Sequence, residues 1–133
     1  MKTSFLILLT AILLFAPSCK PAGAPNISKN DTPEQVAKKA FKALQNEDYA
    51  AYAAYYNISD EDRAFVAMIA QGYVEDTDWV SNVKTYDILD PKINGNIAYV
   101  TEHIVYENGE EETNRLKLEK VGDKWNLSGD NLL

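Results

Sequence analysis

The sequence has few of the residues that build metal sites, disulfides and nucleotide-binding loops. Its 133 residues include one cysteine and one histidine. One cysteine cannot form a disulfide within the chain. Together with a single histidine it cannot supply the four protein ligands of a structural zinc site. Neither a glycine-rich phosphate loop nor a Gly-x-Ser-x-Gly elbow occurs in the chain. We therefore expect a protein that uses no cofactor and no metal.

Positive charge is also scarce. Lysine and arginine number 13 against 20 acidic side chains, which gives a net charge of −7. Residues 1–18 contain one lysine and no acidic residue, so the rest of the chain carries 12 basic and 20 acidic side chains, a net charge near −8. An acidic chain is repelled by phosphate backbones and by anionic lipid headgroups. This balance argues against a nucleic-acid partner and against purely electrostatic membrane binding.

No apolar run is long enough to cross a bilayer. The longest, Phe5 to Ala16, is interrupted only by Thr10 and spans about a dozen residues, whereas a membrane-spanning helix needs roughly 20. Lys2 precedes it. A short apolar run after a positive charge is typical of a secretory signal peptide. We predict that residues 1–18 are such a peptide.

The single cysteine, Cys19, follows this run directly after Ala16, Pro17 and Ser18. The arrangement resembles the lipobox of bacterial lipoproteins, in which a cysteine preceded by small residues is acylated and becomes the first mature residue. Ordinary signal-peptidase cleavage after Ser18 is the alternative, since Ala16 and Ser18 also fit the small-x-small rule. A lone cysteine in an exported chain has no disulfide partner. We therefore predict that Cys19 is acylated and anchors the protein in a lipid bilayer of the bacterial cell envelope.

The segment after the cysteine contains little that could be buried. Residues 20–30 read "KPAGAPNISKN", with two prolines and one glycine. Such composition favours a flexible linker. We predict a tether over residues 19–31 and one folded domain over residues 32–133, which is large enough for a core without disulfides.

Helix signals open the predicted domain. In "DTPEQVAKKAFKAL", Thr32 is placed as the N-cap, Pro33 at the first helical position and Gln35 as the partner in a capping box. The apolar residues that follow recur at helical spacing: Val36, Ala37, Ala40, Phe41 and Leu44. A second, shorter helix is predicted over "NEDYAAYAAYY" after a break near Asn46.

A third helix is predicted from Ser59, which can act as its N-cap. Asp60, Glu61 and Asp62 then occupy the first turn, where the helix dipole favours negative charge. We predict that the helix ends near Gly72. Its apolar stripe, expected to face the core, consists of Phe65, Val66, Ile69 and Tyr73.

The remaining sequence alternates between apolar and polar residues, as strands do. Four stretches show this pattern: "VKTYDIL", "NIAYVTEHIVYE", "EETNRLKLEKV" and "KWNLSG". Tight turns are predicted at residues 94–95, 108–109 and 122–123. A two-residue loop at Asn108-Gly109 would place Glu102 opposite Arg115, and Val100 opposite Lys117, on a solvated face. The other, apolar face would then hold Ile97, Tyr99, Thr101, His103, Val105, Leu116, Leu118, Trp125 and Leu127.

These elements predict an α+β fold in which three N-terminal helices pack on a curved, four-stranded antiparallel sheet. The stretch "AFKALQNEDYAAYAAYY", followed by a short helix and a meander that ends in "DKWNLSG", resembles the cone-shaped nuclear-transport-factor-2-like, or cystatin-like, fold. Among such proteins it is most similar to lipoprotein-borne domains of unknown function from Bacteroidetes, once labelled lumazine-binding-like. The resemblance covers roughly residues 32–130. Surface-exported lipoproteins of that group carry acidic residues after the cysteine, and residues 20–24 have none, so a periplasm-facing protein is predicted.

The resemblance implies a conical pocket, where the ketosteroid isomerases, scytalone dehydratases and polyketide cyclases of this fold place acid–base residues. His103, Tyr99, Tyr86 and Asp87 would be the corresponding candidates here. Alternatively, His103 is simply hydrogen-bonded, since the predicted register places no carboxylate beside it. The predicted ligand pocket is lined by Tyr52, Tyr56, Tyr73, Tyr86, Tyr99 and His103.

Three functions are compatible with these features. We favour a non-catalytic module that binds a small apolar ligand or an envelope protein. A small isomerase or dehydratase that uses the same pocket is the first alternative, and a purely structural domain with a filled cone is the second. The oligomeric state stays open, a dimer included.

Overall fold

Three helices and five strands make up the part of the chain that the computed structural model describes, residues 25–133. The helices are α1 (Pro33–Gln45), α2 (Tyr49–Ala54) and α3 (Asp60–Thr77); the strands are β1 (Tyr56–Asn57), β2 (Val83–Asn94), β3 (Ile97–Tyr106), β4 (Glu111–Val121) and β5 (Lys124–Ser128). Short 3-10 helices span Val80–Asn82 and Gly129–Leu132. The predicted signal peptide, Cys19 and the first part of the predicted tether lie outside the described residues. None of the described helices is long and apolar enough to span a bilayer.

The strands form one sheet in the order β1-β5-β4-β3-β2. Strands β2 to β5 pair antiparallel in sequence order, which confirms the predicted meander. The two-residue strand β1 adds a parallel edge beside β5, with Tyr56 paired to Leu127. Tyr56 falls in a stretch for which a helix is predicted. The backbone carbonyl of Tyr55 accepts a hydrogen bond from the N–H of Leu127, so pairing with β5 ends the helix there. The α+β prediction is confirmed, with five strands instead of four.

Helix α1 begins as predicted. The backbone N–H of Gln35 donates to Oγ1 of Thr32, and the N–H of Thr32 donates to Oε1 of Gln35, so the capping box is complete. The five apolar positions predicted for the core are all buried: Val36, Ala37, Ala40, Phe41 and Leu44. Helix α1 packs on β2, β3 and β5 and covers the concave face of the sheet.

Helix α3 differs from the prediction. Ser59 caps it as expected, but it continues to Thr77 and none of its residues is buried. Phe65, Ile69 and Tyr73 are more than half exposed. The helix packs mainly against α2, since α1 already covers the middle of the concave face. Its apolar stripe therefore borders an open cleft.

The predicted register of the β3–β4 hairpin is wrong by one residue. Val105 pairs with Glu111, and Glu102 pairs with Asn114 instead of Arg115. The N–H of Tyr106 donates to the carbonyl of Glu110, so three residues form the loop. Gly109 closes this loop at φ +88°, a left-handed conformation that suits glycine. The Asn108-Gly109 signal located the turn correctly but did not set its length.

This shift exchanges the two faces of β3 relative to the prediction, because side chains alternate between the faces of a strand. Ala98, Val100 and Ile104 fill the core, whereas Tyr99, Thr101 and His103 lie on the opposite face. Glu102 consequently lies on the concave side. The assignments for β4 and β5 are confirmed: Leu118, Trp125 and Leu127 are all buried. Their loop has the predicted two residues, with Val121 paired to Lys124.

Candidate functional site

A cavity of about 380 Å³ lies between α1, α2 and the concave face of the sheet; we call it the inner chamber. Five aromatic rings line it: Phe41, Tyr52, Tyr56, Trp79 and Tyr86. Its polar side chains include Glu102 and Asn114 on neighbouring strands, and Asn131 near the C-terminus. Volumes of this size are typical of small-molecule sites.

Hydrogen bonds fix the polar groups of the inner chamber. The hydroxyl of Tyr86 donates to Oε2 of Glu102 at 2.6 Å, and Nδ2 of Asn114 donates to Oε1 of Glu102 at 3.2 Å. The hydroxyls of Tyr52 and Tyr56 share a hydrogen bond of 2.8 Å. Glu102 thus serves as the acceptor on one side of the chamber, while the paired tyrosines offer a hydroxyl proton and lone pairs on the other.

Electrostatics keep these tyrosines protonated. Burial is the main cause that raises the pKa of Tyr52, Tyr56 and Tyr86, and the negative charge of Glu102 raises each pKa further. At neutral pH all three are therefore neutral hydroxyl groups. Within residues 25–133, no group of three or more histidine, cysteine or acidic side chains is arranged to hold a metal ion.

The packing of the rings gives the inner chamber a fixed wall. Phe41 of α1 stacks on Tyr86 with ring centroids 3.8 Å apart and planes 6° from parallel. Trp79 meets the edge of Phe41 at 5.9 Å, and its indole N–H donates to the hydroxyl of Tyr106 at 2.7 Å. Such contacts add to the stabilisation from burial and restrict ring motion.

A second cavity of about 530 Å³, the outer cleft, lies between α3 and the C-terminal segment. Its lining is mostly apolar and includes Phe65, Val66, Ile69, Tyr73 and Leu132, with Asp62 among its polar residues. Leu44, Tyr52 and Trp79 line both cavities, so the outer cleft adjoins the inner chamber.

The C-terminal segment forms the wall of the cleft opposite α3. Asn131 holds this segment against β4, because its Oδ1 accepts from the backbone N–H of Lys117 at 2.9 Å and its Nδ2 donates to the carbonyl of Lys117 at 2.8 Å. Nζ of Lys117 also contacts Oδ2 of Asp130 at 2.6 Å. These bonds place Leu132 beside the outer cleft.

The structure brings together four of the six residues predicted to line a ligand pocket. Tyr52, Tyr56 and Tyr86 line the inner chamber, and Tyr73 lines the outer cleft. Tyr99 and His103 lie on the opposite face of the sheet because of the register shift. There the guanidinium of Arg115 lies 3.8 Å from the ring centroid of Tyr99, and Nε2 of His103 is 3.7 Å from Glu111. Whether the pocket residues bind a ligand stays a prediction.

Sequence reasoning did not assign Glu102, Asn114 or Trp79 to the pocket, nor Asn131 of the C-terminal segment. The predicted register places Glu102 on the solvated face, whereas the observed pairing of β3 with β4 places it on the concave face. Asn114 pairs with Glu102 and depends on the same register. Trp79 follows the end of α3, where the sequence pattern carries no periodic signal.

A curved, mostly antiparallel sheet with α1 across its concave face and a pocket between them defines the nuclear-transport-factor-2-like (NTF2-like) fold. The chain is similar to a Campylobacter jejuni protein described provisionally as an NTF2-like transpeptidase, with 24% identity and a TM-score of 0.60. That match covers 74% of this chain and 98% of the other.

A second solved structure, the SEC-C motif containing protein RPA3114 from Rhodopseudomonas palustris, matches with 15% identity and a TM-score of 0.53. It covers 73% of this chain and 75% of the other. No protein-family model and no curated protein matches the sequence. At these identities the two likenesses show the fold alone.

Proposed function

We propose that this protein is a lipid-anchored module of the bacterial cell envelope that binds a small ligand in its cone. The ligand would have an apolar body in the outer cleft and one polar group in the inner chamber. One observation carries the proposal: an apolar cavity adjoins a chamber with fixed hydrogen-bonding groups. A mostly apolar pocket with a few placed polar groups is the usual form of a small-molecule site.

Exposed apolar surface on α3 supports this proposal. Phe65 and Ile69 leave 59% and 53% of their surface exposed although both line the outer cleft. Burying such surface against a ligand is favourable by roughly 25 cal/mol per Å². Among residues 25–133, Asp62 is the only charged side chain in the lining, so an apolar ligand would desolvate little side-chain charge there.

Binding should depend on the side of α3 that is changed. The full chain, held in a non-ionic amphipol, is titrated with N-phenylnaphthylamine, an uncharged fluorophore. We expect Phe65→Gln to weaken binding about tenfold, since the apolar surface it would bury is lost. Met68 is the matched control, because it is also 59% exposed on α3 but does not line the cleft. Equal losses in Phe65→Gln and Met68→Gln, or no binding by the parent chain, would contradict the proposal; in the latter case an envelope protein becomes the better partner.

Anchoring rests on the lipobox-like position of Cys19. Each buried methylene contributes about 0.8 kcal/mol, and stable anchoring needs more than one acyl chain. A three-chain lipoprotein would meet that need, with the domain facing the periplasm. We expect a clickable fatty acid to label the parent chain in a bacterial host and Cys19→Ala to abolish the label entirely. A parent chain that takes up no label contradicts the proposal.

The position of Glu102 favours one second candidate, acid–base catalysis in the inner chamber. Its carboxylate could accept a proton while a neutral tyrosine donates a hydrogen bond to the developing charge. A panel of small ketones in heavy water gives the test. If the candidate is right, the protein accelerates exchange at the carbon next to the carbonyl, and Glu102→Gln reduces that rate by about 100-fold or more. The candidate is rejected if the parent chain accelerates no exchange.

A further inference from the structure

The inner chamber is walled by aromatic rings that belong to different elements. Phe41 comes from α1, Tyr52 from α2, Tyr86 from β2, and Trp79 from the segment after α3. The faces of aromatic rings carry negative electrostatic potential and attract cations, most strongly in a desolvated site. Phe41 and Tyr86 cover one face of each other, so each can offer only its other face to a ligand. Rings that turn a face to the cavity favour a positively charged group there.

The carboxylate of Glu102 faces the same space without a positive partner. Its hydrogen-bond donors, Tyr86 and Asn114, are both neutral. Among residues 25–133 the ion pairs involve other carboxylates. Arg115 borders the chamber, but its guanidinium stacks on Tyr99 across the sheet.

From this geometry we infer that the inner chamber receives a small organic cation, an ammonium or methylated ammonium group, attached to the apolar body that occupies the outer cleft. The inference rests on the proposed function and specifies its ligand class. The carboxylate supplies the opposite charge, and the rings contact the methyl groups of the cation. An anionic head such as a fatty-acid carboxylate would face Glu102 as a like charge, which disfavours it.

A comparison of choline with its neutral carbon isostere tests whether binding depends on charge or on shape. In the isostere a tert-butyl group replaces the trimethylammonium. Both are titrated calorimetrically into the full chain in a non-ionic amphipol. We expect choline to bind at least about tenfold more tightly than the isostere. Glu102→Gln keeps the size of the side chain and an oxygen acceptor for Tyr86 but removes the charge. It should weaken choline binding about tenfold and leave the isostere unchanged.

Two further variants keep the test decisive. Trp79→Leu removes a ring from a half-buried position and should also weaken choline more than the isostere, so it replaces Glu102→Gln if that variant does not fold. Tyr99 lies on the opposite face of the sheet, so the Tyr99→Phe variant should bind both probes as the parent chain does.

The outcomes distinguish this inference from the proposed function. If N-phenylnaphthylamine binds but choline binds no better than its isostere, the cation inference is wrong and the apolar module stands. If choline binds better but Glu102→Gln and Trp79→Leu have no effect, the cation binds elsewhere and the inference is again overturned. If neither the fluorophore nor choline binds, both proposals fail together.

Discussion

Replacing Val100 by aspartate should unfold the protein or bring it close to unfolding. Val100 is 1% exposed on β3, on the face that α1 covers. An unpaired charge in such a site costs about 3–5 kcal/mol, a large part of the 5–15 kcal/mol that stabilises a typical domain. The free energy of unfolding, measured by urea titration with circular dichroism, should fall by at least that amount.

The neighbouring residue supplies the control. Thr101 lies on the other face of the same strand and pairs with Arg115, so an aspartate there remains near solvent and close to a positive charge. We expect Thr101→Asp to change the free energy of unfolding by less than about 1 kcal/mol. If Thr101→Asp unfolds the protein and Val100→Asp does not, β3 has the register of a two-residue loop and the face assignment is wrong.

Truncating Leu118 to alanine should cost about 2–5 kcal/mol of stability. Leu118 is 0% exposed on β4, between Ala98 of β3 and Leu127 of β5. Removing its methyl groups forfeits their burial and leaves a cavity that the surrounding strands cannot fill. The expected result is a clear fall in the urea midpoint with an unchanged slope, because the denatured surface is nearly the same.

Leu89 provides the comparison for this truncation. It has the same side chain in strand β2 but is 45% exposed. Leu89→Ala should lower the free energy of unfolding by no more than about 1 kcal/mol, since the Leu89 side chain buries less apolar surface than that of Leu118. Similar losses at both positions would mean that burial does not account for the contribution of Leu118.

Local chemistry explains the parts of the fold that could be predicted. The capping box of Thr32 and Gln35 acts within one helical turn, so its effect does not depend on the rest of the molecule. The two-residue loop at Gly122-Asp123 likewise sets the register of its own hairpin, and Trp125 and Leu127 fall on the predicted face. In both cases the residues that decide the structure are adjacent in the chain.

The errors arose where local signals admitted more than one outcome. Asn108-Gly109 fits a two-residue loop, but Gly109 also fits a three-residue loop, and the second occurs. The extra loop residue shifts the register by one. Glu102 therefore lies on the concave side, and Tyr99 and His103 lie on the opposite face. Tyr52, Tyr56 and Tyr86 line the inner chamber and Tyr73 lines the outer cleft, because all four belong to elements other than β3.

The sequence by itself determined the order of the three helices and the four antiparallel strands, the cap of α1, the buried face of β4 and β5, and the α+β class. These depend on turns, caps and periodicity, which act over a few residues. Only the tertiary structure decided which face of β3 meets the helices, that α3 stands apart from the core, and that Glu102 shares a chamber with aromatic rings. Those features depend on long-range packing. A helix covers a sheet face only where space remains. The sequence pattern of an apolar stripe like that of α3 is the same whether or not another element covers it.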